Sequence, residues 1–282
     1  MFQKLDLRMK MRGATALVCL TLLLTACGAP AAQTPAEGYP AAPTSSIPTV
    51  SPEESYPVVD ETEGPQSKIM FAIDGIAENF TAKKIEAVSA GENTPARSVM
   101  PGYDLVTLTG YTVDQHKVQP QVYLIPVAEL TAANPDAGQV VSALGDLLAS
   151  KQPGETMPFL PLSDSKQAFF AQVKYLDFQG GKGVRYVTQF NQGPVPVNNF
   201  DLIYTFQGLT DDGAYYVAAV LPLNLAGLSA DETIVEKNPG EFMVGYMDYI
   251  DKMTAMIEKQ GAEAFTPDIE KIDTMIQSIV VK

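Results

Sequence analysis

A group of polar residues between positions 185 and 199 has the clearest capacity for ligand chemistry in this sequence. Two of them lie on one face of a predicted strand and three follow in the next loop: Arg185, Gln189, Asn191, Asn198 and Asn199. A guanidinium group binds a carboxylate through two parallel hydrogen bonds, and amide side chains supply further donors and acceptors. We therefore take these five residues as the candidate ligand-binding cluster. The alternative is an internal partner for Arg185, for example Asp177 or Asp201.

Two other patterns that resemble catalytic signatures are incomplete. His116 is the only histidine and lies in a polar turn, whereas a catalytic triad or a metal site needs an imidazole held beside a partner. We expect it to be a solvated loop residue. Ser163 and Lys166 match a Ser-x-x-Lys pattern, but the companion elements of penicillin-binding enzymes are missing and the tetrad precedes a strand rather than opening a helix. We interpret that match as chance.

Glycine-rich and acidic segments are better explained as turns and solvated charges. The segment 180–183 joins two predicted strands, so a hairpin turn is favoured over a phosphate-binding loop. The segment 211–213 lacks the spaced ligands of a calcium loop and is also predicted to be a hairpin turn. Asp248, Asp251 and Glu258 fall on the polar side of a predicted helix, which indicates solvated charges.

Two hairpins must position the candidate cluster. In the first, alternation predicts one apolar face made of Phe169, Val173, Tyr175, Val184, Tyr186 and Phe190, and an opposite polar face made of Gln172, Lys174, Arg185 and Gln189. The second hairpin has its apolar face at Leu202, Tyr204, Phe206, Val217, Ala219 and Leu221. These patterns predict four antiparallel strands.

Helices with recognisable ends surround these strands. Asn134 and Pro135 form an N-cap signal, and Thr266 with Pro267 forms a second one. The predicted apolar stripes are Val140, Val141, Leu144, Leu147 and Leu148, then Phe242, Tyr246, Ile250, Met253 and Ile257, then Ile269, Ile272, Ile276 and Ile279. The sequence therefore predicts an α+β fold, an antiparallel β-sheet with flanking helices, in one domain over residues 68–282.

The amino-terminal segment has the layout of a signal peptide over residues 1–26. Four basic residues precede an apolar run at 14–24, and small residues then lead to Cys27. The run is too short to span a bilayer in the mature protein. An ordinary signal peptide with an incidental cysteine is the alternative.

Leu24-Thr25-Ala26-Cys27, followed by Gly28, resembles the lipobox of bacterial lipoproteins. The resemblance implies that the thiol of Cys27 is acylated with diacylglycerol, that cleavage occurs just before it, and that the new amino terminus is acylated too. It places the protein in the cell envelope, lipid-anchored on the extracytoplasmic face of a bacterial membrane. A single acyl chain binds a bilayer only marginally, so stable anchoring requires two or three.

Charge and cysteine usage exclude several classes of function. Residues 1–26 carry four basic residues and one acidic residue, so their removal changes the net charge from −14 to −17. Such acidity excludes nucleic acid as a partner. The other cysteine is Cys19, so the mature chain has no free thiol, no thiolate metal site and no disulfide. We expect no metal and no cofactor.

Residues 27–67 are predicted to form a lipidated, disordered tether. Eight prolines are spread through the segment 28–67, which holds six acidic residues and no lysine or arginine. Too little apolar area is available to offset chain entropy, which favours a partly polyproline-II coil. Its predicted role is to hold the folded domain away from the membrane surface.

Longer blocks carry a second resemblance, covering roughly 68–282. The blocks at 157–162, 172–178, 183–190 and 204–213 resemble an uncharacterised ectodomain family of tethered bacterial lipoproteins. That resemblance implies no activity. The closing helix with its Ile-Gln-Ser-Ile end is similar to small antiparallel-sheet domains of the Mog1/PsbP type, a likeness of fold alone.

Together these patterns predict a membrane-anchored extracytoplasmic lipoprotein with a non-catalytic binding or presentation domain. Its partners would be the bilayer, through Cys27, and a protein or small-molecule ligand. The alternative is a carboxylate-dependent hydrolase acting on cell-envelope material, because Asp and Glu are the abundant catalytic residue types. Converging carboxylates in a cleft would favour the enzyme, and an apolar groove would favour binding.

Overall fold

The computed structural model of the protein describes residues 67–113, 115–231 and 239–282, all within one compact unit. A seven-stranded antiparallel sheet lies at its centre. Its strands, in chain order, are β2 (Asn79–Ile85), β3 (Tyr103–Thr109), β4 (Gln121–Pro126), β5 (Lys166–Phe178), β6 (Gly181–Asn191), β7 (Ile203–Thr210) and β8 (Tyr215–Pro222). Across the sheet the order is β2-β3-β4-β8-β7-β6-β5. The predicted α+β class is confirmed.

Short strand pairs and helices complete the fold. The strand β1 (Ile69–Met70) pairs with β11 (Val280–Val281), and β9 (Asn224–Leu225) pairs with β10 (Phe265–Thr266). The helices are α1 (Val127–Ala133), α2 (Pro135–Ser150), α3 (Pro239–Val244), α4 (Tyr246–Glu258) and α5 (Ile269–Gln277), with short 3-10 helices at Ala96–Ser98 and Ala262–Ala264. No helix in the described part of the chain is long and apolar enough to cross a membrane.

Both faces of the sheet are covered, each by its own apolar core. Helices α4 and α5 and the segments near both ends of the domain cover the first face. Helices α1 and α2 and the loop 157–162 cover the second face. The second hairpin behaves as predicted, because all six of its apolar residues are buried in the core of the first face.

A β-bulge in β5 contradicts the face predicted for the first hairpin. The register of β5 against β6 shifts between Ala171 and Lys174, and Gln172 has a left-handed φ of 57°. Phe169 therefore packs on the first face of the sheet, while Val173 and Tyr175 pack on the second. An extra residue reverses the alternation beyond it, which a period-two pattern cannot anticipate.

The bulge joins the sheet to the end of α4. The amide nitrogen of the Gln172 side chain donates to three carbonyls at that end, of Ile257 at 3.0 Å, Glu258 at 3.1 Å and Gln260 at 3.0 Å. The carboxylate of Glu258 accepts from the backbone N–H of Gln172. These bonds add a donor at the carbonyl end of the helix, where backbone carbonyls have few partners within the helix. Glu258 is exposed, but it is not purely a solvated charge as predicted.

Of the two predicted helix caps, one is confirmed and one is wrong. The Asn134 side chain accepts from the N–H groups of the next turn, and Pro135 is the first residue of α2. Helix α5 begins later than predicted, because Asp268 is its N-cap while Thr266 belongs to β10. The four isoleucines of the closing stripe are buried as predicted.

The strand β2 forms an edge that the sequence did not predict. Every residue from Asn79 to Lys84 is exposed. The predicted signal peptide, Cys27 and the tether up to residue 66 lie outside the described residues.

Candidate functional site

An aromatic groove opens on the second face of the sheet, beside the loop 157–162. Its volume is about 340 Å³. Its apolar lining consists of Val118, Tyr123, Phe159, Pro161, Leu162, Phe190, Ile203 and Val220, and its polar lining includes Gln119, Gln121 and Ser163. The rings of Phe159 and Phe190 contact each other with centroids 4.4 Å apart. We call this the aromatic groove.

Buried polar side chains fix the loop that forms one wall of the groove. Gln207, fully buried on the sheet, accepts from the N–H of Leu160 at 2.9 Å and donates to its carbonyl at 3.2 Å. The hydroxyl of Tyr216 donates to Gln207 at 2.6 Å, and that of Tyr186 donates to the carbonyl of Pro158 at 2.7 Å. The wall is therefore held by the sheet itself rather than by solvent-exposed contacts.

The opposite rim of the groove carries a chain of polar groups. The Tyr123 hydroxyl donates to Gln121 at 2.6 Å, and burial raises the pKa of Tyr123 to about 12. Gln121 donates in turn to Gln119 at 3.4 Å. The phenol therefore stays protonated at neutral pH, and the rim presents amide groups beside aromatic rings.

A more polar cleft adjoins the groove at the same end of the sheet. Its volume is about 920 Å³, and it shares Lys117, Ser165 and Asp201 with the groove. Its other lining residues are Gln115, Asn191, Gln192, Val195, Asn199, Phe200, Asn224, Ala230 and Asp231. The two cavities together offer an apolar part and a hydrogen-bonding part, which is the usual composition of a ligand site.

Three residues of the predicted cluster, one of them lining the cleft and two behind it, form a buried amide network. Gln189 donates to Asn191 at 2.9 Å and to the carbonyl of Pro196 at 3.0 Å, and its oxygen accepts from the N–H of Asn198 at 3.1 Å. Asn191 also donates to the hydroxyl of Tyr246 on α4, at 3.2 Å. The network holds the loop after β6 against the helix layer.

The carboxy-terminal end of that loop is fixed by further polar contacts. Asn198 donates to the carboxylate of Asp201 at 2.9 Å, and Lys117 forms an ion pair with the other oxygen of Asp201 at 2.8 Å. Asn199 exchanges two bonds with the backbone of Leu225, at 2.8 and 3.2 Å. Of the predicted cluster, Asn191 and Asn199 line the cleft, whereas Gln189 and Asn198 lie buried behind it.

Arg185 lies apart from the other four residues, beneath α5. Its Nε donates to Asp273 at 3.1 Å, and its guanidinium also donates to the carbonyl of Gln172. The same carboxylate accepts from Lys174 at 2.9 Å and from the hydroxyl of Tyr204 at 2.9 Å. The guanidinium thus has an internal partner, but neither of the two aspartates that the sequence suggested.

His116 is bound more firmly than a solvated loop residue. Its Nε2 lies 2.8 Å from the carbonyl of Leu202, and its Nδ1 accepts from the N–H of Val118 at 3.1 Å. This arrangement requires the neutral tautomer that carries its proton on Nε2. Burial lowers the pKa of His116, although the Leu202 carbonyl and Asp201 act in the opposite direction. The expectation of a solvated histidine is wrong.

The predicted hairpins are confirmed, but the first turn lies earlier than predicted. It consists of residues 179 and 180, where Gly180 has a left-handed φ of 81°, and Gly181 to Gly183 belong to β6. Asp212 accepts from Thr210 and Ala214 within the β7–β8 turn, and the Thr210 hydroxyl is the main cause of its lowered pKa. Ser163 is exposed in the loop before β5. Within the described ranges, no three His, Cys, Asp or Glu side chains lie close enough to hold a metal ion.

Sequence reasoning missed the aromatic groove. Its rings lie far apart along the chain, at Tyr123, Phe159 and Phe190, and each alone resembles a core residue. The available signal was the proline-flanked run at 157–162, in which apolar residues occur without strand or helix periodicity. Comparison with known proteins finds no family model, curated protein or solved structure that matches this chain. The two family resemblances therefore stay predictions.

Proposed function

We propose that this protein is a membrane-anchored extracytoplasmic lipoprotein whose folded domain binds a ligand, without catalysis, in the aromatic groove and the adjoining cleft. The anchor rests on the signal-peptide layout and on Cys27. The binding role rests on one observation, an open ring-lined groove whose wall is fixed by the buried Gln207. A wall that is already fixed loses little conformational entropy when a ligand binds.

The lining defines the chemistry of the ligand. An apolar or aromatic moiety fits between Phe159, Phe190 and Tyr123, and hydrogen-bonding groups fit toward Ser165 and Asn199 in the cleft. The strongly acidic chain disfavours polyanions as ligands. An amphipathic small molecule or a short segment of a protein satisfies both parts of the site.

The position of Asp201 supports binding over hydrolysis. One of its oxygens accepts from Lys117 and the other from Asn198, so the carboxylate orients the loop between them. A hydrolase of the predicted alternative class needs a carboxyl group free to exchange a proton with the substrate. The arrangement around Asp201 therefore favours a structural role at the rim.

An affinity-capture experiment that compares the wild type with a groove variant tests this proposal. The full-length protein, its Phe190→Ala variant and a control Phe80→Ala variant are immobilised and exposed to the same envelope extract. Phe80 is 44% exposed on the edge strand β2, remote from the groove. We expect specific molecules to be retained by wild type and control and lost from Phe190→Ala.

Thermal unfolding of each bait establishes that it is folded. If Phe190→Ala is not, Leu162→Ser removes apolar surface from the groove at a half-buried loop position. Equal retention by the groove variants and the wild type would contradict the proposal.

A further inference from the structure

The polar cleft beside the aromatic groove contains an exposed aromatic ring in a fixed position. Phe200 lines the cleft and is 43% exposed. Its N–H donates to the Asn198 side chain at 2.9 Å, and its carbonyl accepts from the N–H of Lys117 at 3.0 Å. The ring lies against His116, with centroids 6.3 Å apart. A flat apolar surface is therefore held at the cleft instead of being packed into a core.

Neutral side chains with free hydrogen-bonding groups share the lining of the cleft with this ring. Within the described part of the chain, the side chains of Ser165, Gln192 and Asn224 form no hydrogen bond. Gln192 is exposed, and the other two are half-buried. A hydroxyl or an amide side chain both donates and accepts. The cleft therefore offers paired donors and acceptors that the fold itself does not use.

The charges at the boundary between the cleft and the groove are paired with each other. Lys117 and Asp201 line both cavities and form an ion pair at 2.8 Å. A charged ligand would have to compete with this pair. Asp231, the other charged residue of the lining, repels anions, as does the strongly acidic chain. The cleft therefore favours an uncharged ligand that is rich in hydrogen-bonding groups.

A sugar ring matches this combination of an aromatic face and neutral polar groups. The C–H groups on one side of a pyranose lie well against an aromatic face, which carries the negative part of the ring quadrupole. Each sugar hydroxyl both donates and accepts, as the free side chains of the cleft do. Peptides bind by adding a strand to an open sheet edge or by laying a helix into an apolar groove. The lining of the cleft comes instead from loops and strand ends, which favours the sugar.

We propose that the domain binds a neutral glycoside, with its sugar on Phe200 in the cleft and its apolar substituent in the aromatic groove. The two cavities share three lining residues, so one molecule can extend from the first into the second. The substituent gains its contacts against Phe159 and Phe190. The inference rests on the proposed function and names the chemical class of its ligand.

Equilibrium dialysis of fluorescent glycosides tests this assignment. The full-length protein in phosphatidylcholine vesicles is dialysed against neutral 4-methylumbelliferyl glycosides of the gluco, galacto, manno and 2-acetamido-gluco series. The control probe, 7-methoxy-4-methylcoumarin, carries the aglycone without a sugar, and empty vesicles correct for partitioning. We expect at least one glycoside to bind about tenfold more tightly than the control probe. Affinities for every glycoside no greater than that for the control probe would overturn the inference.

Variants of the cleft locate the sugar. Phe200→Ala should reduce glycoside binding to the level of the control probe, whereas Phe200→Trp should preserve it because an aromatic face remains. Gln192→Ala with Asn224→Ala should weaken glycoside binding several-fold and leave the control probe unaffected. Phe80→Ala, remote from both cavities, should change neither.

Thermal unfolding establishes that each cleft variant is folded. If Phe200→Ala is not, the paired variant of Gln192 and Asn224 carries the test, because these side chains have no bond within the described domain to lose. A preference for the glycoside that survives the cleft variants would overturn the inference. Retention of a peptide from the envelope extract in a manner that requires Phe200 would overturn it as well.

The outcomes distinguish this inference from the proposed function. Absence of any preference for glycosides, together with capture that depends on Phe190, would refute only the sugar. Glycoside binding that requires Phe200, together with capture that ignores Phe190→Ala, would support the sugar and refute the groove as the proposed site. Release of free 4-methylumbelliferone would support the sugar and contradict the non-catalytic role.

Discussion

The stability of the domain depends on Asp273, the buried carboxylate of α5. Its side chain is 4% exposed and accepts from three groups on the sheet, Arg185, Lys174 and Tyr204. Asp273→Ala leaves the guanidinium of Arg185, itself 8% exposed, without its charge partner. Removing one partner of a buried pair costs about 3–5 kcal/mol of the free energy of unfolding, because the remaining charge is uncompensated.

The other two donors to Asp273, Lys174 and Tyr204, contribute unequally to the cost of removing this carboxylate. The side chain of Lys174 is 50% exposed, so Lys174→Ala should cost less than about 1 kcal/mol. Tyr204 is fully buried, and its hydroxyl donates to the same oxygen as Arg185. Loss of the acceptor therefore also leaves a buried hydroxyl unsatisfied, which places Asp273→Ala toward the upper part of the range.

Urea unfolding of the wild type and the variants measures these differences in the free energy of unfolding, and thermal unfolding gives the corresponding shift in melting temperature. A domain of about 200 residues shifts its melting temperature by roughly 2–4 °C per kcal/mol, so Asp273→Ala should lower it by roughly 6–20 °C. The paired variant Arg185→Met with Asp273→Val should recover part of the loss, since both charges are removed together while the hydroxyl of Tyr204 stays without its acceptor. A loss below 1 kcal/mol for Asp273→Ala would refute the interpretation that this carboxylate fixes α5 to the sheet.

Three further predictions address the bulge, the histidine and the anchor. Gln172→Ala removes three bonds to the end of α4 and should lower the free energy of unfolding by about 1–3 kcal/mol in urea titrations, whereas an unchanged value would show that solvent replaces them. The pKa of His116 is lower in the folded protein than in the unfolded chain, so the unfolded chain binds the proton at higher pH and the free energy of unfolding should fall as the pH drops below about 6.5. The fall should be smaller in His116→Gln. The same dependence of stability on pH in both proteins would contradict this prediction. Cys27→Ala should abolish partitioning into the detergent phase, and partitioning equal to that of the wild type would contradict the lipid anchor.

The second hairpin and α2 could be predicted from the sequence because their signals are local. The alternation from Leu202 to Phe206 meets a matching alternation across a short turn, and Asn134 caps a helix whose apolar stripe follows directly. The bulge at Gln172 was not predictable in this way. Its left-handed backbone is stabilised by carbonyls of α4, about 85 residues further along the chain. A period-two pattern holds no information about such a partner.

The partner of Arg185 was missed for a related reason. Asp273 lies between Ile272 and Thr274 on a helix, where its burial depends on how that helix rotates against the sheet. The two aspartates suggested by the sequence were chosen by nearness along the chain. Tertiary packing decides which charges pair between the layers. Here it brings together Arg185 and Asp273, which lie 88 positions apart in the sequence.

Most of the polar residues that stand out in the sequence are hydrogen-bonded within the fold. Gln189 and Asn198 are fully buried, and nearly every polar group that they offer is bonded to the loop around them. An unbonded amide in such a place would lower stability, so a conspicuous cluster of amides indicates a rigid loop before it indicates a ligand. The groups left available for binding are the ones that seemed ordinary, aromatic rings such as Phe159 and Phe190 at the open edge of a core. The amides hold the cleft in shape, and the rings beside it form the surface on which the proposed ligand would gain its contacts.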